Sequence, residues 1–199
     1  MIAWSLNQTV APTERPVSRV EAKAHLVLDS IDDDTYVDGL IHAATLWAEG
    51  FTRRQLVSAT YELKLDRFPR GNAPIQVPRP PLSSVTSIAY VDTAGDSQTW
   101  AGANYTTDTA STPGRIEPAY GVDYPDTRDQ IAAVTVTFVA GFGAASAVPY
   151  NYKAAIQQLV AGWYATREPV VVGTTASAVP LSAESLLWHD RVFPLEPAA

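Results

Sequence analysis

The fold is decided by one stretch of sequence, AVTVTFVAGFGAASAVPYNYKAAIQQLVAGWY, which spans residues 133–164. From Val134 to Val139 apolar and polar residues alternate, as in a strand with one face exposed to water. After Gly141 and Pro149 the apolar residues recur at three-and-four spacing, which predicts an amphipathic helix. The chain therefore passes from a sheet into a helix within one loop.

A helical pattern also precedes the sheet. An apolar stripe runs from Val37 to Phe51 at helical spacing and predicts a long helix that packs on the one after Pro149. A shorter helix comes first, because Ser18 and Glu21 have the spacing of a capping box. Four apolar residues then line one face of this short helix: Val20, Ala24, Val27 and Leu28.

The residues between these helical patterns alternate with period two and are broken by Gly, Pro, Asn and Asp. They predict short strands at 61–65, 75–77, 85–91, 98–100, 105–107, 114–118 and 133–139. The fold class is therefore α+β: a small helical bundle, made of an N-terminal helix pair and C-terminal helices, with an inserted antiparallel β subdomain.

The predicted divisions follow from these patterns. They are an extended N-terminal arm (1–17), the helical body in two parts (18–56 and 148–168), the inserted β subdomain (57–147), and a C-terminal region with a flexible link, a short helix and a tail (169–199). Trp4 and Leu6 look exposed on the arm and are candidates for contacts with other chains. Ser182 is expected to cap the last short helix.

Composition excludes several function classes. The chain has 199 residues, no cysteine and a net charge of −7. Without cysteine there is no disulfide framework and no thiolate nucleophile or ligand. No apolar run is long enough to span a membrane, so no membrane association is expected. The acidic balance argues against binding DNA, because DNA binders neutralise phosphates with clustered Lys and Arg.

No residues converge on a catalytic, cofactor or metal site. His25, His42 and His189 fall in different predicted elements without ligand spacing. The acidic residues Asp29, Asp32, Asp33, Asp34 and Asp38 lack the alternation, central Gly and closing Glu of a calcium loop. Acids at the start of a helix are expected partners of its dipole. The sequence therefore predicts a protein that is not an enzyme and needs no cofactor.

Two sets of apolar residues leave alternatives open. The C-terminal set either folds back on the chain's own core or docks into a groove on another chain; it comprises Leu181, Leu186, Leu187, Trp188, Val192, Phe193 and Leu195. The second set could make the β subdomain a glycan-binding module; it comprises Tyr90, Trp100, Tyr105, Tyr120 and Tyr124. Tyr and Trp are also ordinary residues of a sheet.

Three segments resemble the head-to-tail connector (adaptor) proteins of tailed phages, a family also found in phage-like gene transfer particles. The first is Pro16-Val17-Ser18 running into Glu21-Ala22-Lys23-Ala24-His25-Leu26. The second is Pro78-Arg79-Pro80-Pro81-Leu82-Ser83-Ser84-Val85, and the third runs from Val134 to Gly143 and on to Pro149. The resemblance covers residues 16–168.

The resemblance implies a structural virion protein, made in the host cytoplasm and located in the neck between portal and tail. Such proteins form a ring, typically of twelve copies, that binds the portal protein and extends the DNA channel. Double-stranded DNA would pass through without specific binding, and the ring would offer a docking surface to the next neck or tail protein. On this basis the apolar C-terminal set is expected to dock on the portal or on a neighbouring copy.

Overall fold

The computed structural model describes residues 4–166 and 181–193, and confirms an α+β fold of helices and a β subdomain. The helices are α1 (Arg19–Leu26), α2 (Asp34–Thr52), α3 (Tyr150–Ala165) and α4 (Leu181–Leu187). The strands are β1 (Trp4–Val10), β2 (Ala59–Leu65), β3 (Ile75–Val77), β4 (Leu82–Val91), β5 (Ser97–Trp100), β6 (Tyr105–Asp108), β7 (Gly114–Pro118) and β8 (Val134–Ala140). Short 3-10 turns occur at Arg70–Asn72, Gly102–Asn104, Ala145–Ala147 and Trp188–Asp190.

The described residues form two compact units. A sheet unit contains residues 4–12, 58–142 and 192–193, and a helical unit contains residues 13–57, 143–166 and 181–191. In the part of the chain that the structure describes, no helix is both long enough and apolar enough to cross a membrane.

The helical unit is built on α2 and α3, which pack against each other as the two apolar stripes predicted. The fully buried hydrophobic side chains of the two helices are Val37, Ile41, Ala44, Ala48, Tyr152, Ala155, Ile156, Leu159 and Val160. The short helices α1 and α4 pack against this pair. Burying a large aliphatic or aromatic side chain contributes about 1.5–3 kcal/mol, so this contact dominates the stability of the unit.

The apolar face of α1 is not the side that this helix buries. The helix buries Ala22 instead, while Val20, Ala24 and Val27 lie exposed and Leu28 is half-buried. A small alanine permits close approach to the neighbouring helices. Ion pairs from Arg19 and Lys23 to acids of α2 also hold that side of α1 toward the body, so the buried Ala22 and these polar contacts act together on the same side of the helix.

The sheet unit contains a five-stranded sheet in the order β1-β2-β8-β4-β5 and a three-stranded sheet in the order β3-β7-β6, with all pairings antiparallel. The central strand β8 places Val136 opposite Leu63 of β2 and Ile88 of β4. Alternate residues of β2 and β8 are buried, as their period-two sequences predicted. Ile116 of β7 belongs to the same core cluster, so both sheets share one hydrophobic core.

Two expectations about the chain's ends change with the structure. Residues 4–10 of the expected arm form the edge strand β1, which pairs with β2 from Trp4↔Leu65 onward. Helix α4 begins at Leu181, so Ser182 lies inside it rather than at its cap, and its carbonyl accepts a hydrogen bond from the Ser185 hydroxyl. The expected link at 169–180, the tail and Leu195 lie outside the described residues.

Candidate docking surfaces

The start of α1 is fixed by a capping box. The Ser18 hydroxyl accepts a hydrogen bond of 3.2 Å from the Glu21 backbone N–H, and the Ser18 backbone N–H donates to the Glu21 carboxylate at 2.7 Å. That backbone hydrogen bond, with the nearby ammonium of Lys153, lowers the pKa of Glu21. The Lys153 Nζ lies 3.4 Å from Glu21, so the cap also ties α1 to α3.

Three residues of the acidic run, Asp33, Asp34 and Asp38, make contacts between helices. Lys23 Nζ lies 2.7 Å from Asp34, and Arg19 bonds both Asp34 and Asp38. These hydrogen bonds lower the pKa of both carboxyls, chiefly through Lys23 for Asp34 and through Arg19 for Asp38. Asp33 accepts a 2.5 Å hydrogen bond from the Tyr164 hydroxyl on α3. The acids therefore clamp α1, α2 and α3 together.

No metal site is found within residues 4–166 and 181–193, where no group of three or more His, Asp or Glu residues could hold an ion. His25, His42 and His189 are each exposed, and they lie on α1, on α2 and on the turn after α4. The structure thus brings together none of the three histidines that were considered as ligands.

The C-terminal segment folds back on α3. Ala183 and Leu187 are fully buried. The following turn is held by Asp190, whose carboxylate accepts a 2.6 Å hydrogen bond from the Asn151 amide and whose carbonyl accepts one of 2.7 Å from Arg54. The first half of the segment is therefore part of the subunit core.

The rest of the segment leaves apolar surface in contact with solvent. Trp188 is 54% exposed, with the Arg191 guanidinium 5.7 Å from its ring, and it borders an open depression of about 350 Å³. Phe193 is exposed, while Leu186 and Val192 are half-buried. The side chain of Leu181 and all of Leu195 lie outside the described residues. Trp188 is thus the large apolar group that the helical unit offers at this end.

On the arm, Trp4 is exposed and Leu6 packs against the core of the sheet unit. Strand β1 lies at the edge of its sheet, and its sequence WSLNQTV carries no charge. Natural edge strands are commonly blunted by Lys, Pro or inward-pointing charges. The open side of β1 therefore has hydrogen-bonding groups that an extended segment could pair with.

The aromatic residues considered for glycan binding lie mostly in the core. Phe68 is the centre of a cluster in which its ring lies 4.8 Å from Tyr124, 5.6 Å from Trp100 and 5.9 Å from Tyr90, and Tyr105 stacks on Trp100 at 5.3 Å. Trp100 is buried, and burial raises the pKa of Tyr124. Of the five aromatic residues, only Tyr120 is fully exposed, so they form no platform for a sugar.

The helical unit also has exposed aliphatic residues that the sequence did not identify as a surface. Val20 is 78% exposed, Val27 87% and Ile31 76%. Leu46 on the outer side of α2 is exposed as well. The spacing of Val20 and Val27 indicates that they share one face of α1, but spacing alone does not show whether the subunit covers that face.

No protein-family model and no curated protein sequence matches the chain. Solved structures do match. One is a chain from the neck of an empty gene transfer agent (GTA) particle, computed with C6 symmetry, with 25% identity, a TM-score of 0.76 and 98% of both chains covered. A chain from the virion of a native GTA particle has 26% identity and a TM-score of 0.77, over 97% of this chain and 98% of that one.

A third match comes from the neck of a native GTA particle, computed with C12 symmetry, with 26% identity and a TM-score of 0.74 over 98% of both chains. Each match extends over nearly the whole chain and so covers both units. The similarity therefore extends to the helices and the strands of both units. The chain is thus similar over nearly its whole length to chains from the neck and virion of GTA particles, which supports the resemblance of its own segments to the head-to-tail connector family.

Proposed function

We propose that the chain is a structural protein of the virion neck that assembles as a ring of twelve copies between the portal and the tail. The observation that carries this is the near full-length match to chains from GTA particles, including necks solved with sixfold and twelvefold symmetry.

In the proposed ring the chain extends the DNA channel without binding DNA specifically. The net charge of −7 supports this part of the proposal, because an acidic protein makes few contacts with phosphates and repels the duplex. The end of the ring that faces away from the portal would present the docking surface for the next neck or tail protein. The uncharged edge of β1, with Trp4, is the surface we assign to contacts of the N-terminal arm.

The portal contact is proposed to use the C-terminal segment, with Trp188 as its anchor. Exposed Trp residues that fill a partner's pocket often contribute a large share of the binding energy. The packing of Leu187 in the subunit core changes how this should be tested. Deleting residues 181–199 would uncover the core side of α3, so a point substitution at Trp188 is the sharper experiment.

We expect Trp188→Ala to weaken binding to a portal ring from the same genome by about tenfold or more, with little loss of subunit stability. The control is Tyr150→Ala, which removes another exposed aromatic ring of the helical unit. Binding is measured by co-sedimentation, and electron microscopy shows whether a ring stacks on the portal. If Trp188→Ala binds the portal with wild-type affinity, Trp188 is not the anchor of the portal contact. If the unaltered chain stays monomeric and does not bind the portal, the proposed ring on the portal is wrong.

A further inference from the structure

The outer face of α1 is apolar and uncovered. Val20, Ala24 and Val27 follow at i, i+4 and i+7, so they lie on one side of the helix, and Ile31 follows in the next loop. The sequence pattern is that of a buried helix face, but the subunit buries the opposite side through Ala22. The monomer therefore leaves this amphipathic pattern unsatisfied.

The backbone at Val27 provides a second, independent observation. Val27 ends α1 in the left-handed conformation, with φ 55° and ψ 46°. The Leu28 N–H donates to the Lys23 carbonyl at 3.0 Å, which completes a Schellman motif. Glycine or asparagine usually occupies this position, and a β-branched residue is strained there. Because Val27 is also 87% exposed, neither backbone preference nor burial in the subunit favours valine.

A complementary surface lies on the outer side of α2. Leu46 and Ala43 are exposed there, and residues 39–48 carry no Asp, Glu, Lys or Arg. At Gly39 and Gly50, one turn or more from Leu46, an added Cβ would meet nothing within 4 Å. Another helix could thus approach this side of α2 closely.

We propose that the α1 face formed by Val20, Ala24, Val27 and Ile31 packs on the outer side of α2, around Ala43 and Leu46, in the neighbouring copy of the ring. This inference rests on the ring of the proposed function. A closed ring needs two unlike surfaces on each subunit, whereas a face that pairs with itself gives a twofold dimer. Subunits with a net charge of −7 repel each other, so an apolar contact is the kind that can join them.

The absence of cysteine allows a direct test by crosslinking. Ala24→Cys and Ala43→Cys place one thiol on each face with little change in volume. Particles that carry the double variant are treated with a short bismaleimide. We expect a ladder of covalent oligomers that extends beyond the dimer, because each copy links to a different neighbour on each side. Ala24→Cys paired with Ser97→Cys, on β5 outside both faces, is the control and should give no ladder.

The outcomes separate this inference from the function on which it rests. If immunoblotting finds no chain in purified particles, the proposed function fails. If the chain is present and the double variant gives no ladder, the interface is wrong. Dimers formed by Ala24→Cys alone would show that the face pairs with itself, and would also overturn the interface.

Substitutions at Val27 and Val20 separate the stability of the subunit from its incorporation into particles. Val27→Asn relieves the left-handed strain, so the Tm of the isolated subunit should rise by roughly 2–6 °C. The same change removes apolar surface and should lower the amount of chain in particles by about tenfold or more. Val20→Asn lacks the backbone relief, and we expect the same loss of incorporation without a rise in Tm. Normal incorporation of both variants would overturn the interface.

Discussion

At the scale of single residues, Asp34 and Asp38 make the helical unit sensitive to acid. Their pKa values are lowered by hydrogen bonds from Lys23 and Arg19. A carboxyl whose pKa is lower in the folded state stabilises the fold above its unfolded pKa, and that contribution is lost as pH falls through the folded value. Stability should therefore decline as pH drops below about 4, the range of an unperturbed Asp.

The double variant Asp34→Asn, Asp38→Asn should be less stable at pH 7 and lose less stability on acidification. Urea unfolding from pH 7 to pH 2 measures both effects. The control is Asp129→Asn, which alters an exposed carboxylate of the loop before β8. Its free energy of unfolding should fall with decreasing pH as steeply as that of the unaltered chain. If the free energy of unfolding of the double variant falls with pH as steeply as that of the unaltered chain, these ion pairs do not link folding to pH.

Val27 and Ser18 show what residue patterns do and do not predict. The capping box at Ser18 depends on four consecutive residues and was readable from the sequence. The exposure of Val27 was not, because helical spacing identifies an apolar face without naming the surface that covers it. In α1 the side that faces the subunit carries the buried Ala22 and the ion pairs of Arg19 and Lys23. A pair of charges fifteen residues apart leaves no periodic signal.

At the scale of elements, the strands that could be predicted from the sequence are those that bury alternate side chains. The central strand β8 and its neighbour β2 bury every second residue, and both were evident from alternation. Strand β1 buries part of Leu6 alone, so its sequence has no alternation and suggested an arm. Strand β1 is held in the sheet by backbone pairing with β2. Backbone hydrogen bonds leave no pattern in the side-chain sequence, so this pairing could not be predicted.

The C-terminal segment combines both alternatives that the sequence left open. Leu187 belongs to the core of the helical unit, whereas Trp188, the next residue, is exposed. Composition could not separate them, since both are large apolar residues on one short element. The separation arises because successive side chains of a helix point about 100° apart around its axis, so one residue can face the core while the next faces solvent.

At the scale of the whole molecule, the net charge of −7 opposes the assembly that we propose. Copies brought together in a ring repel one another through their acidic surfaces, and added salt screens this repulsion, with a Debye length of about 10 Å at 0.1 M. An interface made of Val20, Val27 and Leu46 loses nothing to screening, since its attraction comes from apolar burial. An interface held by ion pairs would weaken under the same conditions.

We therefore expect self-association of the chain to strengthen as NaCl rises from about 20 to 300 mM, a range over which the Debye length falls severalfold. Crosslinking yield in the Ala24→Cys, Ala43→Cys variant and sedimentation velocity both measure it. The Leu46→Ser variant serves as the control, because it keeps the charge and should associate less at every salt concentration. Association that weakens steadily with salt would show that charged contacts hold the copies together, and would count against the apolar interface.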